Sequence, residues 1–150
     1  MVTIPLVKKD SVVNRAYKFE ENPFTEVYID VNYKCNMSCP MCYSDTPLGA
    51  QATVPDLDLD YYEEFCAKLP QPIIIPMVGG EPTISKHILK IIEITHKYGH
   101  MAFMSTNGRR FAQSLDFTKR FAEVAKKGNT RIHIDISGGY NDDYNQVLYG

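Results

Sequence analysis

The sequence predicts an α/β protein built on a parallel sheet or barrel. Short β-rich runs alternate with helical stripes four times along the chain, which is the pattern of repeated β-α units. The second run, Ile73–Val78 (Ile-Ile-Ile-Pro-Met-Val), is continuously apolar, as expected of a strand covered on both faces. Each run also ends in a polar or glycine-rich loop, and in parallel α/β folds chemistry gathers at the carboxyl ends of the strands.

The elements follow in order. Thr25–Val31 alternates Val27, Ile29 and Val31 against polar neighbours and reads as the first strand. Asp58 is placed to cap a helix in which Leu59, Tyr62, Phe65, Cys66 and Leu69 recur at helical spacing until Pro70. After Ile73–Val78 comes a helical stripe of Ile88, Ile91, Ile92, Thr95 and Tyr98, ended by Gly99. Met101–Ser105 is the third strand, closed by Asn107-Gly108. Asp116 is the expected cap of a helix carrying Phe117, Phe121 and Val124, with Lys126, Lys127 and Gly128 at its end. Arg131–Ile136 is the fourth strand, and Asn141 can cap a further helix. Glu21-Asn22-Pro23 marks a break, which divides the chain into an N-terminal appendage (1–24) and a core domain (25–150).

Composition excludes several classes. With 44% hydrophobic and 23% charged residues in 150, the chain has a globular balance and the length of one domain. Sixteen basic against 18 acidic residues leave a net charge of −2, so no basic excess points to nucleic acid or an anionic membrane. The longest apolar stretches, such as Pro72 to Gly80, fall far short of the ~20 residues that span a bilayer. The opening residues lack the pattern of a secretory signal. The expected location is the cytoplasm.

Four cysteines narrow the reading further. Cys35, Cys39 and Cys42 form a C-x₃-C-x₂-C loop after the first strand, and Cys66 stands apart. A disulfide framework fits poorly without an export signal, whereas clustered thiols in a reducing compartment hold a metal or a cluster. Three thiolates can bind three corners of a cubane iron–sulfur cluster that normally takes four ligands, leaving one iron open. The alternative is a structural zinc completed by Cys66 or by one of His87, His96, His100 and His133. Cys66, however, sits on an apolar helical stripe and reads as core, and the scattered histidines read as surface or rim residues.

The cysteine loop after the first strand and Gly79-Gly80-Glu81-Pro82 after the second together resemble the radical S-adenosylmethionine (radical SAM) superfamily, over about residues 25 to 150. The resemblance implies a partial TIM-like (β/α) barrel, truncated after about four of six β-α units. It implies that Cys35, Cys39 and Cys42 ligate a [4Fe-4S] cluster whose fourth iron is chelated by S-adenosylmethionine. Reductive cleavage of the sulfonium would then give methionine and a 5′-deoxyadenosyl radical that abstracts hydrogen from a substrate. The implied partners are an external electron donor such as a flavodoxin or ferredoxin, and a substrate that is a peptide or a small molecule, including a cofactor precursor.

The same resemblance assigns further residues. Gly79 and Gly80 allow close approach of a ligand to the strand end, and Glu81 with the loop carbonyls accepts hydrogen bonds from the cofactor ammonium. Gly80→Val is therefore expected to weaken cofactor binding and leave the cluster intact. Pro82 also reads as the opening of a helix. Met41 and the neighbouring Tyr43 are the candidates for packing on the adenine. Ser105, Thr106 and Asn107 resemble the family's Thr-Asn-Gly turn. Asp135 and Ser137 keep the spacing of a family Ser-x-Asp pair with the order exchanged, and either can bind ribose hydroxyls or the cofactor carboxylate. A noncatalytic iron–sulfur or zinc-binding module is the alternative function. A four-unit core leaves an open edge on the last strand, which favours self-association.

Overall fold

The computed structural model describes residues 24–39, 42 and 55–135. They form a sheet of four strands, β1 (Ile29–Asn32), β2 (Ile74–Gly79), β3 (Met101–Thr106) and β4 (Thr130–Ile134), in the order β1-β2-β3-β4. Every pairing is parallel. The connections carry α1 (Leu59–Lys68), a 3-10 turn (Pro82–Ile84) leading to α2 (Ile88–Lys97), and α3 (Arg109–Gln113) leading to α4 (Leu115–Ala125). α1 packs on α2 and α2 on α4, so the helices share one face of the sheet. Doubly wound sheets reverse strand order and cover both faces; unreversed order with one helical layer is the winding of a (β/α) barrel. The fold is thus α/β with the architecture of a partial TIM-like barrel.

The core lies between sheet and helices. Val31, Ile75, Met77, Ala102 and Met104 meet Tyr62, Ile88, Ile91, Ile92, Phe117 and Phe121, all buried. Cys66 is in the same cluster, as its place on the apolar stripe predicts. Tyr62 keeps its hydroxyl satisfied by donating to Thr95 Oγ1 at 2.7 Å, since the Thr95 hydroxyl itself donates to the Ile91 carbonyl at 2.8 Å. No helix among the described residues is long and apolar enough to cross a membrane.

Four expectations need correction. The first strand does not run from Thr25 to Val31: β1 begins at Ile29, and Glu26 contributes only an isolated bridge to Ile74. Pro76 explains the gap. The ladder starts with Ile74 N–H donating to the Thr25 carbonyl and Val27 N–H to the Ile74 carbonyl. The next parallel rung needs an N–H from residue 76, which proline lacks. The cap of α4 is Ser114, whose Oγ accepts from Phe117 N–H at 3.2 Å, while Asp116 lies in the first turn. A short helix, α3, precedes it where only a turn was expected, with Gly108 as its left-handed cap at φ +74°.

His100 is not a surface or rim residue. It is buried, with Nδ1 accepting from Ile73 N–H at 3.3 Å and Nε2 beside the Cys66 carbonyl at 3.1 Å. An amide that can only donate and a carbonyl that can only accept assign the Nε2–H tautomer. The fourth strand is observed as Thr130–Ile134. Most of the appendage, Ile136 and the helix expected after Asn141 lie outside the described residues.

Candidate active site

The carboxyl ends of the strands converge on the cysteine loop. Its leading arm leaves β1 and docks on the loop after β2 through backbone bonds: Gly80 N–H donates to the Asn32 carbonyl at 2.8 Å, and Glu81 N–H to the Lys34 carbonyl at 2.7 Å. Asn32, fully buried, adds two more. Its Nδ2 donates to the Glu81 carbonyl at 3.0 Å, and its Oδ1 accepts from Lys34 N–H at 2.7 Å. Lys34 also reaches Asp56 at 3.1 Å, which accepts from Ser85 Oγ at 3.1 Å. The arm is therefore tied both to the chain returning into α1 and to the start of α2.

This docking gives the paired glycines a specific reason. A Cβ on Gly80 would lie 2.6 Å from the Lys34 carbonyl carbon and 2.8 Å from its nitrogen, and one on Gly79 would overlap the Asn32 carbonyl. Gly79 also has φ +100°, which other residues rarely adopt. The close approach these glycines permit is to the cysteine arm.

Glu81 is the central tie of the rim. Its carboxylate is buried and accepts four hydrogen bonds. Oε1 takes Thr83 N–H at 3.0 Å, Thr83 Oγ1 at 2.5 Å and Thr106 Oγ1 at 2.6 Å, and Oε2 takes Asn107 N–H at 2.8 Å. A buried carboxylate is tolerable because these donors replace water. The side chain expected to meet the cofactor ammonium is engaged within the protein, joining the ends of β2 and β3. Pro82 opens the 3-10 turn that follows, with Glu81 as its cap.

The three thiols sense one another. Burial pushes Cys35 above its ordinary range; the Met37 amide, which bonds to it, pulls down, while Glu81, Cys39 and Cys42 push up again. Burial raises Cys39 too, followed by Cys42 and Asp135. Cys42 is exposed, and its N–H donates to the Cys39 carbonyl at 3.0 Å. The donor set thus consists of three sulfurs within electrostatic reach, with carboxylates from β2 and β4 beside them. Among the described residues, no three His, Cys, Asp or Glu converge closely enough to hold a single metal ion. Three thiolates from one loop are the kind of donor that a cubane cluster takes at separate corners, so the chemistry of the set fits such a group. Cys66, sealed in the core, is not part of it.

The other expected residues divide. Thr106 and Asn107 join the rim through Glu81. Ser105 points to the opposite face of β3, since Ala102, Met104 and Thr106 are the buried alternates. Asp135 follows β4, its N–H bonded to the Thr106 carbonyl at 3.0 Å. Met41, Tyr43 and Ser137 lie outside the described residues. Asn32, Asn36, Thr83 and Arg109 were not foreseen. A polar residue at the end of an apolar alternation was the only available signal for Asn32, and nothing in the sequence singled out Arg109.

Comparison with known proteins agrees with this arrangement. Residues 29–149 match the Radical SAM superfamily. Over 113 residues the chain is 24% identical to 7,8-dihydro-6-hydroxymethylpterin dimethyltransferase of Methanocaldococcus jannaschii, covering 73% of this chain and 22% of that protein. A probable GTP 3′,8-cyclase of Pyrococcus abyssi is 28% identical over 114 residues, 76% of this chain and 35% of the relative. The chain therefore spans between 22% and 35% of the length of these two relatives. With a match that takes in the cysteine loop and all four strands, the chain belongs to the radical SAM superfamily of enzymes.

Proposed function

We propose that this chain holds a [4Fe-4S] cluster on Cys35, Cys39 and Cys42 and binds S-adenosylmethionine at the open iron, as the core of a radical enzyme. The observation that carries the reading is the docking of the cysteine arm on Gly80 and Glu81, which holds the thiol loop at the rim where four strand ends meet. Held by Cys35, Cys39 and Cys42, such a cluster would supply the one electron for reductive cleavage of the sulfonium C–S bond, with methionine as the leaving group, and so start hydrogen abstraction from a substrate. The protein's own share is positional. Gly79 and Gly80 admit the arm, Glu81 locks the β2 and β3 loops together, and Asp135, at the β4 end, is the candidate for the ribose hydroxyls of the cofactor. The substrate is a peptide or small molecule; the pterin and GTP in the relatives' names favour a small heterocycle. A flavodoxin or ferredoxin is the fitting reductant.

The test is anaerobic reconstitution with iron and sulfide, then reduction with S-adenosylmethionine present. A single cluster, lost on replacing any of the three loop cysteines by Ala and kept in Cys66→Ala, together with release of 5′-deoxyadenosine, is the expected result. Stoichiometric zinc in the purified protein that is lost in Cys66→Ala would establish the zinc-binding module instead.

A further inference from the structure

The arm of the cysteine loop is held on a second side by residues from the turn after β3. Asn107 Nδ2 donates to Asn36 Oδ1 at 2.8 Å, and Arg109 Nη1 donates to the Asn36 carbonyl at 3.2 Å. Asn107 Oδ1 in turn accepts from Arg109 N–H at 3.0 Å, so one side chain fixes both partners. Asn36 lies directly after Cys35, and on the other flank Lys34 is bonded to Glu81. Met37, buried on the next position, donates its amide to the Cys35 sulfur.

We propose that Asn36, Asn107 and Arg109 form a latch that fixes the Cys35 corner of the cluster loop, with Asn107 and Arg109 as positioning residues for that thiol. The inference rests on the cluster reading given above. Its physical basis is the closure of Cys35 from two directions. Backbone bonds to the β2 loop fix the arm up to the Lys34 carbonyl, on the near side of Cys35. Two donors to Asn36, one to its side chain and one to its carbonyl, fix the peptide on the far side, so Cys35 is held at both of its neighbours. Outer partners of this kind orient a ligand without touching the metal, and losing one costs about tenfold or more in metal retention.

The experiment compares four single variants, Arg109→Met, Arg109→Lys, Asn36→Ala and Asn107→Ala, and the double variant Asn36→Ala/Asn107→Ala with the unaltered chain. Two quantities are read: the half-time of iron loss from the reconstituted protein under a chelator, and amide exchange of residues 33–39 in the metal-free protein. Arg109→Met should lose iron about tenfold faster, whereas Arg109→Lys, which keeps a donor for the Asn36 carbonyl, should stay within about twofold of the parent. Asn36→Ala should speed exchange of the arm about fivefold, the equivalent of one net hydrogen bond. Because their side chains meet, the double variant Asn36→Ala/Asn107→Ala should lose iron no faster than Asn107→Ala alone. Should Arg109→Met fail to fold, Asn36→Ala carries the test by itself. Parent-like iron retention and exchange in Asn36→Ala and Asn107→Ala would overturn the latch. A parent chain that takes up no cluster overturns the functional reading instead, and the latch is then judged on exchange in the metal-free protein.

Discussion

At the scale of single residues, Gly-Gly-Glu-Pro changes meaning between sequence and structure. As a string it offers a bare backbone and a carboxylate for a ligand. In three dimensions the bareness serves the Asn32–Lys34 arm, and the carboxylate is consumed by Thr83, Thr106 and Asn107. Gly80→Ala tests the difference. The added carbon falls against the Lys34 backbone, which cannot swing aside as a side-chain tip does, so the arm must shift. The expected cost is on the order of 1–3 kcal/mol in stability, with iron uptake falling alongside it, measured by denaturant unfolding and iron per chain. Normal iron uptake with only cofactor binding weakened would restore the ligand-facing view of this glycine. The motif itself was legible because its residue types are rare together. Its partners were not, because Asn32, Asn36 and Arg109 are ordinary polar residues until the fold brings them to it.

At the scale of elements, apolar spacing located each α-helix among the described residues except α3, and it located strands better than it fixed their limits. Val27 and Ile29 alternate as a strand should, yet the ladder fails between them for want of one N–H on Pro76, a residue some fifty positions away in sequence. Period alone carries no information about a partner's missing donor. The start of α4 shows a second limit. Ser114 and Asp116 are both good capping residues, and spacing from Phe117 admits either. Tertiary packing decides: Phe111 of α3 packs tilted against Phe117 and edge-on against Phe121, with ring centroids 5.2 Å and 5.0 Å away, which brings Ser114 to the turn between the helices. Ser114→Ala should therefore destabilise the protein by about 1 kcal/mol. Asp116→Ala should change stability by no more than about 0.5 kcal/mol, because its 3.8 Å pair with Arg120 joins two exposed side chains. The urea midpoints of the two variants give the comparison, and a larger loss for Asp116→Ala would return the cap to that residue.

At the scale of the whole molecule, repeated β-α spacing predicted a parallel sheet or barrel, and the resemblance to a six-unit core predicted the barrel and the open edge of the last strand. The strand order and the single helical layer come from the structure. β4 pairs with β3 on one side; among the described residues nothing pairs with its other side. Its side chains are also open: Ile132 and Ile134, two apart and so on one face, are 40% and 45% exposed. A strand with free backbone donors and acceptors beside an apolar face is a template for another chain. Covering the exposed part of each isoleucine contributes on the order of 1 kcal/mol, which supports weak, concentration-dependent association and not a tight dimer. Analytical ultracentrifugation of these 150 residues should accordingly show reversible oligomers at high concentration. The double variant Ile132→Lys/Ile134→Lys should shift them toward monomer, since two ammonium groups brought face to face repel, while the far-ultraviolet spectrum stays the same. A parent chain that remains monomeric at every concentration would show that β4 is protected by residues outside those described, and the association argument would fail.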